Sequence, residues 1–167
     1  MDRRRSDVPG SRRRAGVVKG FLYDTDCLIA LSVTDHRHHL ATNGDWFRRR
    51  SDRESWFIAM HCLEEAYSVL TRSPPPLRSS PAVAWALIED WANEASSVDL
   101  EPAERMAALR SGAQRGIVGG QIHDYLIAAC ARKAGVKTLI TWNLRHFARW
   151  AGQDLDVVNP LGERAQA

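Results

Sequence analysis

Apolar residues come in short runs along this chain, and amphipathic stretches separate them. Val17-Val18-Lys19-Gly20-Phe21-Leu22-Tyr23 is rich in strand formers and reads as a buried strand. Asp24-Thr25 ends it, and Cys27-Leu28-Ile29-Ala30-Leu31 continues as a helix with Asp24 or Thr25 as its N-cap. Residues 36–50 predict a second, polar helix, and residues 55–60 a second strand. From His61 to Arg72 the pattern is helical: Cys62, Leu63, Ala66, Tyr67, Val69 and Leu70 share one broad face. Glu65 sits just off the edge of that face, and Glu64 lies on the more polar side. Pro74-Pro75-Pro76 stops the helix. Residues 81–95 predict a helix with Trp85, Ile88 and Trp91-Ala92 at apolar spacing. Residues 97–100 read as a short strand, and Glu101-Pro102 opens a helix to about Arg115. After the Gly-rich turn 116–120, a helix from Gln121 to Ala134 is closed by Gly135. Residues 136–141 and 156–158 give the last two strands.

Strands alternating with helices in this order predict a three-layer α/β/α domain with a mainly parallel central sheet, spanning residues 17–161. The chain has 167 residues, enough to bury a core without disulfides or a structural metal. Cys27, Cys62 and Cys130 are odd in number, far apart and set among apolar neighbours. They read as small core residues of a cytoplasmic protein. No apolar run is long enough to span a membrane.

The net charge of +3 changes meaning once it is divided. Residues 1–19 hold seven basic against two acidic residues, a surplus of five; the remaining 16 basic and 18 acidic residues leave a deficit of two. The basic character belongs to the N-terminal stretch, so the fold surface itself gives no argument for nucleic-acid binding. Ser11-Arg12-Arg13-Arg14 is similar to a twin-arginine export signal, but Lys19, Asp24 and Asp26 interrupt the hydrophobic segment such a signal requires. Residues 1–16 are expected to be a disordered basic extension, or sequence upstream of the native start. Residues 162–167 are expected to be a C-terminal tail.

Sheets of this kind build their sites at the carboxyl ends of the strands. Three carboxylates arrive there: Asp24 after the first strand, Glu65 in the helix after the second, and Asp124 in the first turn of the helix after Gly119-Gly120. Asn143 follows the fourth strand in Thr141-Trp142-Asn143. Converging hard oxygen ligands suit Mg²⁺ or Mn²⁺, which would relieve repulsion among the acids. No Ser-His-Asp order, phosphate-binding Walker loop or GxGxxG is present.

Four stretches resemble the PIN-domain family, and within it the VapC-like toxins of bacterial toxin–antitoxin modules. The first is residues 22–31 around Asp24. In the second, His61-Cys62-Leu63-Glu64-Glu65-Ala66-Tyr67-Ser68-Val69-Leu70-Thr71-Arg72, the acid stands two residues before an aromatic and five before Leu-Thr-Arg, which selects Glu65 over Glu64. The third is residues 119–129 around Asp124, and the fourth is residues 138–147 around Asn143; Val157-Val158-Asn159-Pro160 matches the usual closing strand. The resemblance spans residues 20–161.

It implies a Mg²⁺-dependent endoribonuclease, with Mn²⁺ able to substitute. Asp24, Glu65 and Asp124 would hold the metal, and Asn143 would position its water or the phosphate. It also implies an RNA substrate, a cognate antitoxin and a homodimer. Many family members carry a further aspartate in the fourth block, where this chain has Asn143 and His146; the amide supplies no charge, which bears on a second metal more than on activity. Asp26 fits either a supporting acid or an ordinary first-turn aspartate. His61 and His123 flank the acids and fit either substrate contact or helix-start positions. His36, His38 and His39 read as a solvated helix face, the six tryptophans as mostly core, and Trp142 as a candidate to meet a base. Two rivals stay open: an RNA-maturation enzyme without an antitoxin, and a silent binding module that kept the fold without the metal.

Overall fold

A computed structural model describes residues 18–166. The expected extension 1–16 and the strand start at Val17 lie outside the described residues. The chain runs β1 (Val18–Tyr23), α1 (Thr25–Ser32), α2 (His39–Ser51), β2 (Ser55–Ala59), α3 (Met60–Arg72), α4 (Pro81–Glu94) and β3 (Ser96–Val98). It continues with α5 (Pro102–Gln114), α6 (Gln121–Lys133), β4 (Val136–Ile140), α7 (Leu144–Phe147), a 3₁₀ turn at Ala148–Trp150, and β5 (Asp156–Val158).

The five strands form one sheet in the order β3-β2-β1-β4-β5, and every pairing is parallel. Parallel neighbours need a crossover, and right-handed crossovers decide where the helices go. The connections β1→β2→β3 step in one direction, so α1–α4 cover one face. The chain then jumps from β3 back across β1 to β4, so α5 and α6 cover the other face, with α7 beside them. The helix contacts agree: α1 meets α2 and α3, α3 meets α4, and α6 meets α5 and α7. Covered on both sides, the central strand buries Phe21, Leu22 and Tyr23 completely.

Local sequence explains the element boundaries. Asp24 is the N-cap of α1 and accepts from the Thr25 N–H. Ser80 caps α4, with Pro81 in its first turn. Glu101 and Glu104 form a reciprocal capping box at the start of α5. Gly135 takes a φ of 72° just beyond α6, where a side chain would be strained. Residues beyond β5 fold back on it: Ala165 donates to the Val157 carbonyl at 2.9 Å, and Arg164 bridges to Val158.

Several expectations need correction. The second helix starts at His39, not residue 36, and its inner face is polar: Thr42, Asp45 and Arg49 are buried. Asp45 accepts from the Tyr23 hydroxyl at 2.9 Å and from Arg49 Nε at 2.8 Å, so the buried charge is both paired and hydrogen-bonded. The histidines at its start are not a solvated face. The His38 ring stacks on Trp142 at 3.8 Å, and His39 Nδ1 lies 2.9 Å from the Ala30 carbonyl. Trp85 faces out at 58% exposure and Tyr67 at 39%, although both fit the apolar spacing of their helices. The third strand covers residues 96–98, not 97–100. Helix α7 and the 3₁₀ turn were not expected at all. Cys27, Cys62 and Cys130 are buried free thiols, as their apolar settings imply.

Candidate active site

The strand order reverses between β1 and β4, and a crevice opens outside the carboxyl ends of strands at such a point. The two strand ends are tied together there by the Asp24 N–H, which donates to the Ile140 carbonyl at 2.9 Å. Asp24 leaves β1 and Thr141 leaves β4, so the two meet over 117 residues of sequence. Thr141 Oγ1 donates to Asp24 Oδ2 at 2.9 Å, while Asp24 Oδ1 accepts from the Thr25 N–H at 2.8 Å. The carboxylate is thus held at both oxygens and nearly buried.

The crevice is a cavity of about 600 Å³. Asp24, Asp26, Glu65 and Asp124 all line it, and Asn143 joins them. Glu65 comes from the second turn of α3, where its Oε2 accepts from Thr25 Oγ1 at 2.6 Å. Asp26 accepts from the Trp142 N–H at 3.2 Å, with Thr141 Oγ1 at 3.4 Å. Asp124 stands in the first turn of α6 with His146 Nδ1 at 3.8 Å. Asn143 precedes α7, and its N–H donates to Thr141 Oγ1 at 2.9 Å. Glu64 lies elsewhere, on an apolar groove between α3 and α4 that also holds Trp85.

Burial raises the pKa of Asp24 well above the carboxylate range, and the Asp26 and Glu65 charges add to it, against the lowering effect of the Thr25 and Thr141 hydrogen bonds. Burial also raises Asp26 and Asp124. Around Asp124, nearby His146 and His123 pull down while Glu65 and Asp26 push up. The site therefore concentrates negative charge that the protein alone stabilises poorly, and an all-oxygen donor set of this kind fits a hard divalent cation. As the side chains stand, no three acidic, histidine or cysteine groups among the described residues are clustered tightly enough to hold an ion. Asp24 is buried in the cavity, Asp124 is half-buried and Glu65 is exposed.

Two features escaped the sequence reading. Thr141 is wholly buried and bonds Asp24 and the Asn143 N–H, with Asp26 close by. No local signal marked it, because its partner Asp24 is 117 residues away in sequence. The other is the pairing of His61 with His123, whose rings stack in parallel at 4.6 Å. Trp142, a candidate base platform, is engaged instead: its ring lies on His38, and its Nε1 donates to Thr42 at 2.9 Å.

The fold and this crevice define a member of the PIN-domain family: the PIN domain matches residues 21–153, and the chain belongs to that family. Among its relatives is Ribonuclease VapC40 of Mycobacterium tuberculosis, 34% identical over 122 residues, which are 73% of this chain and 85% of the relative. Among solved structures it is similar to Mycobacterium tuberculosis VapC20, described as a Sarcin-Ricin loop cleaving toxin. That likeness has a TM-score of 0.58 at 16% identity and covers 72% of this chain and 87% of the other. A DNA-bound VapBC from Salmonella typhimurium has a TM-score of 0.57 at 20% identity, covering 84% and 98%. At such identities the structures speak for the fold. Among the described residues no helix is long and apolar enough to cross a membrane.

Proposed function

We propose that this chain is a divalent-metal-dependent endoribonuclease acting as the toxin of a toxin–antitoxin pair, with Asp24, Glu65 and Asp124 holding Mg²⁺, or Mn²⁺ in its place. One observation carries the reading. Three acids from three separate elements line a single cavity at the sheet's switch point, in a chain whose relative at 34% identity is named a ribonuclease. Divalent-metal dependence is general among PIN-domain ribonucleases.

When bound, the cation supplies a lowered pKa for water and neutralises charge on the phosphodiester. The chain's own residues do the rest. Thr141 and the Thr25 N–H fix both oxygens of Asp24, and the Thr25 hydroxyl orients Glu65, so two of the acids are aimed before substrate arrives. Asn143, anchored by its N–H on Thr141, offers an uncharged amide to a phosphate oxygen. Asp26, held by the Trp142 N–H, adds negative potential behind Asp24. The partner is an antitoxin that covers the acidic crevice, for which a cationic side chain is the natural plug; the toxin itself is a homodimer in the cytoplasm.

The test is cleavage of total RNA by the purified chain. Cutting should require Mg²⁺ or Mn²⁺, vanish in EDTA, and vanish in Asp24→Asn. Growth should stop on expression and resume with the neighbouring small gene co-expressed. Persistent cutting in EDTA by the Asp24→Asn protein would overturn the metal reading. Harmless expression of an active enzyme would overturn the toxin role alone.

A further inference from the structure

The stacked histidines have no part in the mechanism above. His61 lies in the first turn of α3 and His123 in the first turn of α6, so both rings sit near the sheet's carboxyl edge. Their centroids are 4.6 Å apart and their planes 5° from parallel. His123 lines the acidic cavity and is exposed. His61 packs behind it with its side chain only 20% exposed. One face of His123 is therefore covered by a flat neighbour that fixes its tilt, while its edge stays open to the cavity. No hydrogen bond to the His123 ring is found among the described residues.

The cavity has an unmet chemical need. A phosphodiester approaching four carboxylates is repelled, and a bound cation meets the charge only at the reacting phosphate. Among the described residues, none that lines this cavity is a lysine or arginine. The side-chain N–H donors on its wall are the amides of Asn143 and Gln121 and the rings of His123 and His146. Gln121 is anchored through its oxygen, which accepts from Arg149 Nη1 at 2.8 Å, and His146 Nδ1 lies 3.8 Å from Asp124. Among these side chains, the His123 ring is the one held in place by a stacked neighbour while free of any hydrogen bond.

We propose that His123 is a substrate-contact residue whose imidazole N–H donates to a non-bridging phosphate oxygen of the RNA next to the scissile bond, with His61 as the positioning residue that holds its ring. This rests on the ribonuclease reading. A neutral imidazole carries one N–H, so the contact needs no protonation. Stacking restricts the ring before substrate binds, which lowers the ordering cost of the contact.

The experiment pairs steady-state cleavage of an RNA oligonucleotide in Mg²⁺ with equilibrium binding of the same oligonucleotide, by fluorescence anisotropy without divalent ion, in the Asp24→Asn background. His123→Ala and His123→Phe should raise KM and weaken binding by about tenfold, the usual scale for a hydrogen bond to a charged group, with kcat little changed. His123→Gln keeps an N–H of similar reach and should recover most of the loss. His61→Phe keeps a flat ring and should behave as wild type. His61→Ala should show part of the defect and add nothing to His123→Ala. If His61→Ala fails to fold, the His61→Phe and His123 series still decide. Wild-type behaviour of His123→Phe would overturn the proposal in favour of ring stacking on a base. Unchanged KM and binding in His123→Ala, or a fall in kcat alone, would overturn it outright. If the wild-type chain neither cuts nor binds RNA, the ribonuclease reading has failed; if wild type cuts and the variants match it, only the histidine contact has.

Discussion

Glu64 and Glu65 are neighbours in sequence, but a step of about 100° around α3 sends them to different places. Glu65 meets Thr25 in the acidic cavity, and Glu64 sits 73% exposed beside the apolar groove. Asp24→Asn, Glu65→Gln and Asp124→Asn should each reduce RNA cleavage on the order of a hundredfold or more, because each keeps the shape of the side chain and removes a charge from the site. Glu64→Gln should keep most of its activity, and circular dichroism should find all four folded. An active Glu65→Gln beside a dead Glu64→Gln would mean the cavity uses the other acid. The choice between the two glutamates came from the family resemblance, in which the acid stands two residues before an aromatic and five before Leu-Thr-Arg, here Tyr67 and Leu70-Thr71-Arg72. Thr141 was not legible. Its role lies in a contact with Asp24 across 117 positions, and nothing local distinguishes it from any threonine at a strand end.

At the scale of elements, β1 and the turn after β4 carry the site, and each has a position that tests it. Gly20 lies between β2 and β4, where an added Cβ would come within 2.6 Å of the Ser55 carbonyl oxygen and 3.1 Å of Phe57. The nearer atom is backbone in a paired strand, so relief requires β1 and β2 to move apart. Gly20→Ala should cost about 1–3 kcal/mol in urea unfolding, the usual range for overpacking; a neutral result would show that the sheet gives freely there. Thr141→Val removes the hydroxyl that donates to Asp24 and receives the Asn143 N–H. It should cost about 1–3 kcal/mol, as expected when a buried polar group loses its partner, and slow cleavage as well. Thr141→Ser should restore both. All five strands were readable because apolar runs between turn signals mark buried parallel strands directly. Helix α7 was not, because four residues leave no room for a periodic pattern. The packing of His38 on Trp142 was hidden for a related reason: it joins a loop to a loop, and periodicity carries no information about loops.

Over the whole molecule, the sheet order converts separate local signals into one site. Only the jump from β3 back across to β4 brings residues 141–143 beside Asp24, and α/β alternation announced that type of fold without announcing the order. The same assembly stores unfavourable charge, and this has a measurable consequence for stability. Burial raises Asp24, Asp26 and Asp124 in the folded state. A raised acid contributes stability that is fully present below its unfolded pKa, about 3.9, and lost as pH rises through the folded value. His61 runs the other way. Burial and the neighbouring His123 lower it, so its contribution is present above about 6.5 and lost as pH falls through its folded value. The two windows overlap, and the melting temperature of the wild type alone does not separate them. The difference between wild type and Asp24→Asn does, because asparagine does not titrate and His61 is common to both. Measured in EDTA, the variant should gain on the wild type as pH rises from 4 to 8. Millimolar Mg²⁺ should then narrow the gap at pH 8 by binding the folded wild type, and do much less at pH 4, where protonated acids bind it poorly. A gap that stays constant with pH would mean Asp24 titrates alike in folded and unfolded chains. A gap that Mg²⁺ leaves untouched at pH 8 would remove Asp24 from the metal site.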